Sequence, residues 1–68
     1  MKLTLILDPA SEGVYASLVE EWEEGDRTVR MAPIVRQFDL EEEALAWGRA
    51  FAKRRRLSRL YLTDNRKR

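Results

Sequence analysis

The sequence predicts a small α+β domain: an antiparallel sheet of three strands and a short fourth, with one long helix packed on one face. Three observations carry this reading. Leu3-Thr4-Leu5-Ile6-Leu7 alternates in the manner of a half-buried strand. Turn chemistry clusters at residues 8–13 and again at 24–26, spaced for hairpins. From Asp39 onward, apolar residues recur at helical spacing behind an acidic first turn.

The elements follow in order. A first strand spans 2–7, with Leu3, Leu5 and Leu7 on one face. Asp8-Pro9-Ala10-Ser11-Glu12-Gly13 turns the chain: Pro fixes φ, Gly permits φ > 0, and Asp and Ser bond to local backbone. Residues 14–22 fit a strand with Val14, Ala16 and Leu18 inward, and Val and Tyr favour that state. They also fit a helical stripe, so a βαβαβ order with a helix over 10–24 stays open, although such a helix would crowd four glutamates at its negative end. Glu24-Gly25-Asp26 leads into a third strand over 27–37, where Pro33 must sit at an edge or a bulge because it has no N–H.

A helix spans 39–56, with Asp39 as N-cap and Glu42 completing an Asp-x-x-Glu capping box. At 100° per residue, Leu40, Ala44, Leu45, Trp47, Gly48, Phe51 and Ala52 form one apolar stripe. Arg54 and Arg55 fall on the same side, so burial should finish near Ala52. A last strand over 59–63 turns Leu60 and Leu62 inward, and residues 66–68 form a frayed basic tail.

With 68 residues there is room for one domain and one modest core. Cysteine and histidine are both absent, which removes disulfides, thiolate zinc sites and imidazole chemistry together. The usual remaining supplements to a small core are a partner chain or dense charge pairing. The wealth of Arg, Glu and Leu, with a single Asn and a single Gln, resembles thermophile proteins in composition. No apolar stretch reaches the ~20 residues needed to cross a bilayer. The first apolar run is short and meets Asp8-Pro9 at once, so neither a membrane nor a secretory route is expected, and the cytoplasm is.

The near-neutral charge of +1 conceals two opposed blocks. Residues 1–47 carry eleven acids and four bases, net −7; residues 48–68 carry nine bases and one acid, net +8. Such asymmetry suggests a polyanion site at one end or head-to-tail association with an acidic surface. The candidate nucleic-acid contacts are Arg49, Lys53, Arg54, Arg55, Arg56 and Arg59. Arg49, Lys53 and Arg56 make an exposed i, i+4, i+7 stripe. Complementing the helix dipole explains the order of signs along the helix. It explains the amount less well, because Lys53-Arg54-Arg55-Arg56 sweeps about 300° around the axis.

Catalytic chemistry is poorly provided for. Six hydroxyls have no imidazole to activate them, and the three glycines form no phosphate-cradling loop. The acids Glu20, Glu21, Glu23, Glu24 and Asp26 match no metal-ligand spacing, and solvation in a turn accounts for them. No enzyme, metal or cofactor is therefore expected. By strand parity, Ile6, Tyr15, Val19 and Tyr61 point to the sheet face away from the helix, where an apolar set suggests a homodimer or partner surface.

Three pieces resemble the N-terminal domain of HicB-like antitoxins: the strand Lys2–Leu7, the turn and strand Glu12-Gly13-Val14-Tyr15-Ala16, and the helix start Asp39-Leu40-Glu41-Glu42-Glu43-Ala44-Leu45. Small ββαβ families share the pattern. The resemblance implies three antiparallel strands, a helix and a further strand, in a domain that neutralises a small toxin. Glu20–Glu24 stands where that family has a Pro- and Gly-containing motif, and no helix-turn-helix or ribbon-helix-helix module follows, so operator binding is not expected. The combined expectation is a non-enzymatic binding module for nucleic acid, with a protein-interaction module as the rival.

Overall fold

The computed structural model describes residues 1–66; Lys67 and Arg68 of the expected basic tail lie outside them. Six elements follow one another: β1 Lys2–Pro9, β2 Val14–Glu24, β3 Arg27–Arg30, β4 Ile34–Phe38, α1 Glu41–Arg54 and β5 Tyr61–Asp64. The segment 10–24 is therefore turn and strand, which removes the βαβαβ alternative.

β1 and β2 form an antiparallel hairpin in which Leu5 faces Leu18 and Leu7 faces Ala16. Cross-strand partners share a face, so the odd positions of β1 and the even positions of β2 line one side. Leu3, Leu5, Leu7, Val14, Ala16 and Leu18 are all essentially inaccessible to solvent. The expected inward sets of the first two strands are thus the observed ones. Gly25 and Asp26 close the next hairpin, with Gly25 at φ 66°. Positive φ at the first central residue alone is the pattern of a type II′ turn.

The expected strand over 27–37 is two strands lying end to end along β2. Leu18 faces Ile34 and Glu21 faces Arg30, so Val19 and Glu20 oppose the three residues Met31, Ala32 and Pro33. That one extra residue is a β-bulge. It accommodates Pro33, and it resets parity so that Ile34, Arg36 and Phe38 face the same side as Leu18, Ala16 and Val14. β5 takes the other edge of the sheet, parallel to β1, with Thr4 opposite Tyr61 and Leu7 opposite Asp64. It begins two residues later than expected, after an irregular stretch at 57–60.

The helix is shorter than the expected 39–56. Leu40, not Asp39, is the N-cap. Leucine has no side-chain acceptor, so only the reciprocal half of a capping box forms: the Leu40 N–H donates to Glu43 Oε1 at 3.4 Å. Leu40 itself is exposed rather than part of the buried stripe. α1 lies over β1, β2 and β4, and it meets them along Ala44, Gly48 and Ala52, its buried residues. Small residues at i, i+4 and i+8 let the axis come close; a Cβ on Gly48 would sit 3.1 Å from both Leu5 Cδ2 and Leu60 Cδ2. Trp47 is consequently half-buried on the flank, not central. It packs on Phe38 with centroids 5.4 Å apart and beneath the Arg36 guanidinium at 5.7 Å.

The helix ends in a Schellman motif. Arg55 is the C-cap and Arg56 follows at φ 59°. The Arg56 N–H donates to the Lys53 carbonyl at 3.0 Å, and the Leu57 N–H to that of Ala52 at 2.9 Å. Glycine is the usual residue where Arg56 stands, because a Cβ there costs about 1–2 kcal/mol. Arg56→Gly is expected to raise the unfolding free energy by roughly 1 kcal/mol, read from urea denaturation. An unchanged or lower midpoint would mean that the Arg56 side chain itself stabilises the turn.

Candidate nucleic-acid interface

The six cations expected to contact nucleic acid are all exposed, but they fall into three environments. Arg54 and Arg55 lean back over the Phe51 ring, their guanidinium carbons 5.6 and 4.9 Å from its centroid. Their stems therefore cover the end of the apolar stripe, as their position on the helix suggested. Arg55 also stands 3.1 Å from Glu20 Oε2. Glu20 is the one buried charged residue among those described, placed on the helix side of β2 by even parity. Its Oε2 has the ion pair but no aligned hydrogen bond, so Arg55 is committed to balancing a desolvated carboxylate.

Arg56 leaves the helical path at its positive φ, which breaks the expected i, i+4, i+7 stripe after Lys53. The chain then turns back beneath α1, and Arg59 comes round to join Arg49 and Lys53. These three line an open groove of about 230 Å³ whose floor is Ala52, Leu57 and Leu60 and whose wall includes Ser58. Leu57 is held there by the Schellman hydrogen bond to Ala52, and Leu60 by contact with Gly48. Ser58, Leu57 and Leu60 are parts of the site that the charge pattern alone did not indicate.

The compensation of charge around the molecule is uneven. Among the described residues, Arg30 pairs with Glu21, Arg55 with Glu20, and Arg66 with Asp64 and Glu41. Lys2, Arg27 and Arg36 stand apart without a carboxylate partner among the described residues, whereas Arg49, Lys53, Arg54, Arg56 and Arg59 lack one together within eleven positions. Cations gathered without counter-charges raise the local potential and attract polyanions. Arg66, by contrast, is not part of a frayed tail. It donates to Asp64 Oδ1 and Oδ2 at 2.9 and 2.7 Å and to Glu41 Oε1 at 2.9 Å. Hydrogen bonding to Asp64, then to Glu41, pushes its pKa above the ordinary arginine value. It ties the end of β5 to the first turn of α1.

A larger open cleft of about 500 Å³ lies beside Met1, Lys2, Glu21, Trp22, Glu23 and Thr28. Its carboxylates are already engaged, Glu21 by Arg30 and Glu23 by the Thr28 hydroxyl at 3.0 Å. The acidic run at 20–26 is divided between the two sheet faces by strand alternation. Among the described residues no group of three or more metal-ligating side chains is close enough to hold an ion.

The second expected set, Ile6, Tyr15, Val19 and Tyr61, does share the sheet face away from α1 by register. It is not one exposed patch. Val19 is buried, Ile6 is half-buried, and of the four only Tyr15 and Tyr61 are exposed, each by less than half. Tyr15 lies opposite Asp8 and Tyr61 opposite Thr4, four positions apart along β1, or about 13 Å. The Lys2 ammonium further covers the Tyr61 ring at 4.8 Å from its centroid.

Comparison with family models, with curated proteins and with solved structures finds no match to this chain. No helix among the described residues is long and apolar enough to cross a membrane.

Proposed function

We propose that this chain is a non-enzymatic nucleic-acid-binding module that takes phosphates at the groove between the end of α1 and residues 57–60. The observation that carries the reading is the convergence of Arg49, Lys53 and Arg59 on that groove with no carboxylate partner among the described residues. Arg56 and Arg54 extend the positive surface around it, while Arg55 is occupied with Glu20. The apolar floor suits the sugar edge or a base face, and the cations suit the backbone. Recognition of this kind positions a strand and reads little sequence. A cytoplasmic location is part of the proposal, on the separate ground that the first apolar run is short and meets Asp8-Pro9 at once.

The order of three antiparallel runs, a helix and a strand is also the order that the resemblance to HicB-like domains implies. It supports a second reading, a module that binds a small protein partner through the same basic surface. Salt separates the two. If phosphates are bound, Arg49→Gln, Lys53→Gln and Arg59→Gln should each weaken binding equally for unrelated oligonucleotides and lower the log–log salt slope by about one. Fluorescence anisotropy across a salt series measures this. Variants that leave both affinity and slope unchanged would exclude the groove as the phosphate site.

A further inference from the structure

We infer that the outer edge of β5 pairs with the β5 edge of a second copy, antiparallel, so that the sheet continues across a two-fold axis. The inference does not depend on the nucleic-acid reading. It begins from a difference between the two edges of the sheet. The β3–β4 edge is interrupted by the bulge at 31–33, holds Pro33, and carries Arg27 and Arg30. Bulges, proline and edge cations are the means by which sheets resist strand addition. Tyr61-Leu62-Thr63 has none of them.

The β5 edge is also apolar on both faces. Tyr61 and Leu62 are 42% and 53% exposed. Leu62 shares the helix-facing side with Leu5, yet α1 lies over β1, β2 and β4 and does not reach it. Backbone direction agrees. The Asn65 N–H donates to the Leu7 carbonyl at 2.8 Å, and in a parallel ladder alternate residues turn to the same neighbour. Thr63 and Tyr61 therefore turn to β1, and Leu62 turns its N–H and carbonyl outward.

Symmetry chooses both the direction and the register. A two-fold axis along the strands would set each outward-turned residue against its own copy, which a parallel ladder cannot bond, so the pair is antiparallel. A two-fold axis normal to the sheet requires some residue to face its own copy. With Tyr61 facing Tyr61, Leu60 meets the second copy's Leu62, and the outward-turned backbone groups bond. Shifting one residue sets Leu60 against the carboxylate of Asp64, which is unfavourable for both. The first arrangement is the one assigned here. A small core gains most from such an extension, and the symmetry leaves both helices and both basic grooves on one side.

The chain has no cysteine, so single cysteines give a clean test. Wild-type protein should sediment at twice the 8.0 kDa chain mass. Under mild oxidation Tyr61→Cys should cross-link about tenfold faster than Thr63→Cys, because cross-strand neighbours at a non-hydrogen-bonded pair suit disulfide geometry. Leu62→Lys should give a folded monomer, and Tyr15→Glu, in the middle of the opposite face, should remain a dimer. Monomeric wild-type protein at the highest attainable concentration would overturn the inference. So would equal cross-linking at 61 and 63, or a dimer lost with Tyr15→Glu and kept with Leu62→Lys, which would assign the contact to the open sheet face.

Discussion

Gly13→Ala is expected to remove a large fraction of the protein's stability. Gly13 sits at φ 76° in the β1–β2 turn, directly beneath the end of β4. An alanine Cβ there would stand 2.0 Å from the Phe38 carbonyl oxygen and 3.0 Å from the Asp39 Cα. Both obstacles are backbone, so no rotamer change relieves them. Moving them displaces the link between β4 and α1, and with it the Gln37 side-chain hydrogen bond to the Glu12 carbonyl at 2.7 Å. Strain and lost packing together should cost on the order of 3–5 kcal/mol, against a total stability of roughly 3–10 kcal/mol for a chain this size. Gly25→Ala is the control: φ is 66°, but nothing lies within 4 Å of its Cβ. It should lose only the conformational part, about 1–2 kcal/mol. Equal losses for the two variants, by urea denaturation, would show that the contact with Phe38 is not what matters.

Leu5→Ala should cost about 3–4 kcal/mol, while Trp47→Ala should cost about 1–2 kcal/mol. The inversion of the usual order, in which deleting a tryptophan costs more, follows from position. Leu5 is fully buried in the middle of β1 and fills the space left by Gly48 on the helix. Its neighbours on either side are held by β2 and β5 and cannot readily collapse into the cavity. Trp47 keeps one side in solvent, and its loss uncovers Phe38 and Arg36 rather than opening a void. Thermal melts in which Trp47→Ala is the more damaging would mean that the helix rolls further over β4 than the geometry here indicates.

Much of the fold was legible because each signal was local. The alternation of Leu3, Leu5 and Leu7 and of Val14, Ala16 and Leu18 needed no partner to interpret. The limit of burial at Ala52 followed from the angular positions of Arg54 and Arg55. What escaped depended on distant neighbours. The run 27–37 reads as one strand until β2 opposes three of its residues with two of its own. Asp39 and Leu40 each have a glutamate three residues on, because 41–43 is all glutamate, and packing alone selects Leu40 as the cap. Apart from Leu40, the apolar stripe of α1 named the correct residues without ranking them; the i, i+4, i+8 spacing of Ala44, Gly48 and Ala52 was the available sign of which line meets the sheet.

The basic site was legible as a charge excess and not as a shape. An arginine in place of the usual glycine hid the Schellman turn at Arg56. The return of Leu57, Ser58, Arg59 and Leu60 beneath the helix was hidden with it. The ion pairs of Arg55 and Arg66 join residues 35 and 25 positions apart, which no spacing rule connects. They take Arg55 and Arg66 out of the cations with charge to offer and leave Arg49, Lys53 and Arg59 at the groove, with Arg54 and Arg56 at the same helix end.

The most direct test is titration of the unmodified protein into labelled single- and double-stranded oligonucleotides of unrelated sequence, beginning at low salt. Binding to both is expected, at similar affinity across sequences. Affinity should fall log-linearly with salt at a slope of about −2 to −3, the value for three neutralised phosphates at roughly 0.7–0.9 each. Absence of binding at low salt, or binding that salt does not weaken, would contradict it and return the groove to a solvated helix end that complements its own dipole.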